Sequence, residues 1–503
     1  MLQLTEVSKT QVPDQAPLLR PRRVLLLLLV LTFAALLLHG YHPRAEDAEI
    51  YVSSIVHLLH PSYYPFGREF FETNAKLMLF PNLVAWSVRI SHLPLDWVLF
   101  LWQLASIFLL LLGCWKLSSK CFPTPAGRWA AVSLVAALLT LPIASTSLYI
   151  LDQYFNPRSL FAFAIVFAID AMVSKKYWQT ALWVILIALM QPFMAVFGIS
   201  YLVLLYLFGK KQTSPMPILP AVLIPALLVR DPSPAYMKTL TGHPNLFLFR
   251  WPWYSWLGVL GPLVLLAWFE RIARIKQRPA MRQLAGSMIL FGLIYLAGAA
   301  VIGIPQSLIT LNRFEPMRSF YLVYLLLILL GGGLLGEMVL KAKTLRWLLL
   351  FVPLCLGMGY AQFQLFPADR HVEWPGAAPE NPWVQAFVWI KKHTPTEAIF
   401  ALPPRYESLP NEDHQGFRAI AERSRLADAG KDSSVATLYP NLPLAQECYA
   451  QTQAVKGWKH FTPRDFDRLK RDYRVTWIVV QGPAVPGITC PYRNALISVC
   501  QLN

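Results

Sequence analysis

Long apolar runs recur between residues 24 and 363, and the connections between them are alternately basic and acidic-aromatic. A helix needs about 17 to 25 apolar residues to cross the hydrocarbon of a bilayer. Runs of that kind lie near 24–41, 96–115, 128–147, 158–174, 177–191, 194–208, 216–230, 252–270, 284–304, 319–340 and 345–362. The pattern predicts a polytopic α-helical membrane protein with about eleven transmembrane helices. The short pair 177–191 and 194–208, joined through Gln191-Pro192, and the proline-rich 216–230 are open to being tilted, broken or re-entrant.

Charge sets the orientation. The segment 76–92 has a helical pattern, but Pro81 interrupts it and Arg89 sits in its body, where bilayer depth is costly. If it lies at the surface, the clusters Lys116/Lys120/Arg128, Lys175/Lys176, Lys210/Lys211, Arg271/Arg274/Lys276/Arg278/Arg282 and Lys341/Lys343/Arg346 all face the cytoplasm. If it spans, every one of them is exported. The segment is therefore expected to be interfacial. The first run follows Arg20, Arg22 and Arg23 and ends in the bulky His39-Gly40-Tyr41, unlike a cleavage site. Residues 1–23 are expected to be a cytoplasmic tail, 24–363 the transmembrane domain, and 42–95 a long exported loop with interfacial helices.

After residue 363 the composition turns polar, and 364–503 suffices for one small exported α/β domain. Asn381-Pro382 opens an amphipathic helix carrying Trp383, Phe387 and Ile390, and Thr462-Pro463 opens another. Residues 398–402, 475–480 and 495–501 read as strands.

The chain of 503 residues is 55% hydrophobic and only 15% charged, so its net charge of +17 does not mark a nucleic-acid binder. Much of that charge flanks apolar runs, where Lys and Arg determine topology. Six cysteines without a CxxC pair give no metal or disulfide framework. Cys490 and Cys500 flank a turn at Arg493-Asn494, which leaves a disulfide open.

The candidate chemistry lies in the exported loops. The first places Glu46, Asp47 and Glu49 just beyond a helix end, with Tyr51 a turn later. The second holds Asp152, Tyr154, Asn156 and Arg158, and the fourth holds Arg313 and Arg318, against the positive-inside trend. Arginines there suit an anionic lipid headgroup or phosphate. The acids inside apolar runs, Asp170, Glu270 and Glu337, fall near cytoplasmic ends, whereas an ion-coupled transporter would place ionisable groups near the midplane.

This layout resembles the GT-C superfamily of membrane glycosyltransferases. One span precedes an acid-bearing loop (Glu46-Asp47, Tyr51), followed by a second acidic loop (Asp152 to Arg158) and a late Pro316-Met317-Arg318. The stretch from Tyr51 to Pro65 looks like a bacterial branch of the group, as do Trp389-Ile390, Thr394-Pro395, Phe417-Arg418, Arg423, Asp465-Phe466 and Tyr473. The resemblance implies transfer of a sugar from a polyprenyl-phosphate donor at the exported face of a bacterial cytoplasmic membrane. Asp47 or its neighbour Glu46 would be the general base, and Arg158, Arg313 or Arg318 would hold the lipid phosphate. Asp152 and Glu49 would shape the acceptor site or bind a divalent cation. The partners implied are a polyprenyl-phosphate-linked sugar and membrane lipid. Two alternatives stay open: a non-catalytic protein of this fold that binds lipid-linked glycans, and a transporter or flippase of lipid-linked sugar.

Overall fold

The computed structural model describes residues 21–209, 232–410, 412–440, 442–483 and 485–502. Seven of the described helices are long and apolar enough to cross a bilayer, so the chain is a multi-pass membrane protein. They are Pro21–His39, Leu95–Cys121, Pro192–Gly209, Trp253–Ile275, Pro279–Gly303, Thr344–Leu365 and the stretch Gln306–Leu340. The last combines a 3₁₀ segment, the helix Phe320–Leu335 and a closing π turn. The predicted run 216–230 lies outside the described residues.

The predicted segments differ in how they use the bundle. Pro157–Val173 is buried from Pro157 through Ala171 and forms the centre. In Thr344–Leu365 only Gln362 is buried, as suits a helix facing lipid. Pro157–Val173 and Leu95–Cys121 run parallel. Asp96 and Arg158 lie at one end, and Lys120 ion-pairs with Asp170 at the other. Gln191-Pro192 breaks the following apolar stretch into Tyr177–Met190, of 14 residues, and Pro192–Gly209.

Residues 128–147 do not form one helix, contrary to the pattern. Pro125–Ala137 ends after 13 residues at Leu138, and Pro142, which cannot donate to a helical ladder and disfavours the α region at Leu141, stands against the helix resuming. The chain doubles back instead. Ile143 N donates to Leu148 O at 2.9 Å, and Leu151 N donates to Leu139 O at 2.9 Å. Small residues let Phe320–Leu335 approach Pro125–Ala137 closely, since a Cβ on Gly332 would lie 2.8 Å from Ala130 O.

The long loop 42–95 folds into Ala48–Leu59, Glu69–Ala75 and Phe80–Ser91. Phe80–Ser91, the body of the ambiguous 76–92, has 12 residues and a length of about 18 Å, short of a hydrocarbon core of about 30 Å.

The C-terminal domain is built on a five-stranded mixed sheet of order β2-β1-β3-β5-β4. The strands are β1 Ile399–Ala401, β2 Ser424–Leu426, β3 Trp477–Gln481, β4 Thr489–Arg493 and β5 Ile497–Gln501. Strands β2, β1 and β3 are parallel, and β3, β5 and β4 antiparallel. One face packs on Pro382–His393 through Trp383, Phe387 and Ile390, and the other on Pro463–Tyr473 through Phe466 and Leu469. A disulfide joins Cys490 on β4 to Cys500 on β5. The domain is not a detached unit, because Ala419, Val435, Ala436, Leu444, Ala445 and Cys448 belong to the core of the membrane bundle.

Candidate functional site

The site begins at the head of Pro157–Val173. Asn156 caps that helix, its Oδ1 accepting from Arg158 N at 2.9 Å and Ser159 N at 3.2 Å. The cap holds Arg158 where its guanidinium meets two acids. Nε and Nη2 each lie 3.0 Å from Asp152 Oδ2, and Nη1 lies 3.0 Å from Asp47 Oδ2. Asn156 Nδ2 donates to the same Asp152 oxygen at 2.6 Å. The Tyr154 hydroxyl accepts from Arg158 Nη2 and from Asp47 N, both at 3.3 Å.

Glu46 and Asp47 are placed by the C-terminal domain. Ala45 bridges Gln415 as a short antiparallel pair, Gly416 N donates to Arg44 O at 2.9 Å, and Glu46 N donates to His414 O at 2.8 Å. Glu46 sits in the left-handed region at φ 55°, a conformation that costs a non-glycine residue about 1 kcal/mol or more. Its carboxylate Oε2 lies 2.9 Å from Lys431 Nζ, and the same ammonium lies 3.3 Å from Asp47 Oδ1. Lys431 opens the helix Lys431–Leu438 and is held from both sides. Its backbone N donates to Asp428 Oδ1 at 2.9 Å, and Asp428 pairs with buried Arg425. Asp432 takes a two-pronged pair from buried Arg418 at 2.8 and 2.7 Å.

These groups line a cavity of about 490 Å³ between the bundle and the C-terminal domain. Glu46, Asp47, Asp152, Arg158, Glu315, Arg318 and Lys431 carry its charge, and Tyr51, Tyr149, Tyr154 and Phe366 supply aromatic walls. Arg318 ion-pairs with Glu315, itself in the left-handed region at φ 45°. The reversed segment after Pro142 contributes Ser147 and Tyr149. Burial would raise the Asp47 carboxyl, but the Lys431 and Arg158 charges outweigh it and hold it well below the ordinary carboxylate range. Lys431 is pushed well above its ordinary value, because Glu46 and Asp47 outweigh the cost of its burial.

Five of the predicted residues thus meet: Glu46, Asp47, Asp152, Arg158 and Arg318. Two do not line this cavity. Glu49 is fully buried, and its carboxylate accepts from Arg418 N at 3.0 Å and Ala419 N at 3.1 Å, tying the loop to the C-terminal domain. Arg313 lies 4.7 Å from the Phe314 ring, and its Nε and Nη1 have no partner among the described residues. The acids in the cavity are bridged by side-chain cations: Lys431 spans Glu46 and Asp47, and Arg158 spans Asp47 and Asp152. They do not cluster as metal ligands among the described residues, where the group with that spacing is His42, Asp369 and Glu373. Lys431 was not among the residues singled out from sequence. The one local signal was a charge-dense run, Arg418, Arg423, Arg425, Asp428, Lys431 and Asp432, without a helical stripe.

No family model matches this sequence, and no curated protein matches it.

Proposed function

We propose that the chain is a glycosyltransferase of the GT-C kind, moving a sugar from a polyprenyl-phosphate donor to an acceptor at the exported face of a bacterial cytoplasmic membrane. The observation that carries this reading is the convergence of Asp47 with Arg158, Arg318 and Lys431 on one cavity. Displacing a lipid phosphate from an anomeric carbon requires a base for the incoming group and cations for the departing one, and both are present there. The orientation draws support from the Cys490–Cys500 disulfide, a bond that persists in oxidising compartments. It draws further support from the Lys120 and Asp170 pair at the end of the bundle away from the cavity. On this reading the chain still crosses about eleven times. Pro125–Ala137 and the irregular stretch after it make one crossing, sheltered inside protein.

The resting ion pairs suggest how donor binding readies the base. Arg158 and Lys431 are engaged by carboxylates, and Asp47 is a weak base because both surround it. A lipid phosphate entering on Arg158, Arg318 and Lys431 competes with Asp47 for these cations. The carboxylate it displaces becomes more basic as the donor seats. The acceptor oxygen then attacks the anomeric carbon, and the bond from that carbon to the phosphate oxygen breaks. The acceptor proton passes to Asp47, polyprenyl phosphate leaves, and the anomeric centre inverts.

The same closed ion pairs favour a second reading, a non-catalytic protein that binds lipid-linked glycans, since every acid here already has a cation. Single-turnover release of polyprenyl phosphate from a panel of polyprenyl-phosphate sugars, in lipid nanodiscs, separates the two. Wild type is expected to release it and a folded Asp47→Asn variant to lose release by about 100-fold or more. Binding of polyprenyl phosphate with no release from any donor would sink the transferase reading.

A further inference from the structure

Behind the cavity wall lies a second polar cluster that the transfer chemistry does not use. Tyr41 pairs with the connection into the C-terminal domain: Tyr41 N donates to His371 O at 3.0 Å, and Glu373 N donates to Tyr41 O at 2.9 Å. This pairing sets His42 beside Glu373, with Nδ1 2.8 Å from Oε1. The His42 ring is stacked at 3.8 Å on Phe366, which lines the cavity on its other side. Asp369 joins them, and one donor atom from each of the three residues lies within 4.8 Å of the other two.

Gln415 closes the group. Its Nε2 lies 2.9 Å from both Asp369 Oδ2 and Glu373 Oε1, while its Oε1 is buried without a partner among the described residues, and the residue is 0% exposed. His42 is likewise 0% exposed, and its Nε2 has no partner among the described residues. The two ends of a side-chain amide are alike in shape, so turning the Gln415 amide places a carbonyl oxygen between the two carboxylates. Neither Asp369 nor Glu373 has a Lys or Arg ion pair among the described residues: amide groups face them, Asn381 Nδ2 lying 3.3 Å from Asp369 Oδ2, and a cation would offset the repulsion between the two acids more fully than neutral amides do.

We propose that His42, Asp369 and Glu373, with Gln415 as fourth ligand, bind a divalent first-row transition ion, for which zinc is the best chemical match. One imidazole and three oxygen donors suit zinc better than calcium, which takes six or more oxygens. Ligands about 2.1 Å from one ion lie about 3.4 Å from each other, so the site closes around zinc with shifts of about 1 Å or less. The backbone supports the ligands: Asp413 Oδ2 accepts from Ala368 N at 2.6 Å and Asp369 N at 2.8 Å. Asp369 and Glu373 also line a cavity of about 260 Å³ beside half-exposed Trp374, which provides access for the ion. The ion would staple the end of the first helix to the C-terminal domain through Gln415, whose backbone bridges Ala45 and whose neighbour His414 accepts from Glu46 N.

The test is metal content and thermal unfolding of the full chain in detergent, after exposure to zinc and desalting. Wild type is expected to retain about one zinc per chain and to melt several degrees lower after chelation by EDTA. The isosteric Asp369→Asn/Glu373→Gln pair is expected to retain none and to ignore EDTA. Calcium added to chelated wild type should not restore the melting temperature, whereas zinc should. Wild type that holds no zinc and ignores EDTA overturns the site, whatever the variants do.

Discussion

Lys431→Met isolates what the C-terminal domain contributes to the cavity. In wild type the ammonium lies 2.9 Å from Glu46 Oε2 and 3.3 Å from Asp47 Oδ1, with its own side chain 12% exposed and the acids 42% and 34% exposed. Unscreened by surface water, each pair would be worth about 5 kcal/mol at an effective dielectric of about 20. Carboxylates this open to solvent pull the figure toward about 1–2 kcal/mol. For a lipid phosphate seated on the ammonium, losing one charge-assisted contact costs about 1.5–3 kcal/mol. Glu46, left without its cation, and Asp47, left with Arg158 alone, add repulsion of the same sign. Polyprenyl phosphate should therefore bind the variant about 10- to 100-fold more weakly. Titrating it into nanodisc-embedded protein and following tryptophan fluorescence measures this directly, with melting temperature as the folding control. The pH profile gives a second readout. Lys431 and Arg158 depress the Asp47 pKa, so wild type keeps the carboxylate ionised deep into acid. Removing one of them raises that pKa, and the acid limb of single-turnover release moves to higher pH. Affinity within twofold of wild type, in a variant that melts normally, would refute the role given to Lys431.

Other perturbations test the frame around the site. Arg158→Met leaves Asp152 buried without its cation and should destabilise the protein by about 3–5 kcal/mol, read as a fall in chaotrope midpoint; an unchanged midpoint contradicts the pairing. Cys490→Ser with Cys500→Ser opens a loop of sequence separation 10 and should cost about 3 kcal/mol, and wild-type Cys490 should resist alkylation until reduced. Burial pushes the Glu49 carboxyl up to about 7 against the opposing charge of Arg418. Since the folded pKa is raised, that contribution is complete below about 4.5 and lost as pH rises toward about 7. Glu49→Gln should flatten that part of the stability-pH curve, and an unaltered slope would assign it to another group.

Local signals in the chain were reliable where the physics is local. Prolines opened Pro382–His393 and Pro463–Tyr473 as the pattern predicted, and the strand containing Trp477 ran where an apolar stretch stood. The run 128–147 misled because hydropathy counts apolar residues and is blind to the helix end at Ala137 and to Pro142 beyond it, where the chain turns back with Ile143 paired to Leu148 and Leu151 to Leu139. Strand β2, with buried Ser424 and Arg425, carries no apolar alternation to read. At the candidate site, Asp47, Asp152 and Arg158 were legible because each stands beside a helix start in a polar loop. Glu49, expected with Asp152 at the acceptor or cation site, is the second residue of Ala48–Leu59, and that position turns it from the cavity to the backbone of Phe417–Ala421. Lys431 was out of reach, because its partner Glu46 lies 385 positions away and nothing local records that contact.

That separation of 385 positions also imposes an order of events on the ribosome. At about 5–20 residues per second, the cell spends about 20–80 seconds between making Glu46 and making Lys431. Throughout that interval the acids at the mouth of the growing bundle lack one of their two cations, and the pocket lacks a wall. A chain that stalls, or is clipped before its last quarter is made, can settle into the bilayer without ever becoming competent. The cavity is complete only once the final domain is in place, so any quality control over the tail is also control over when that cavity forms.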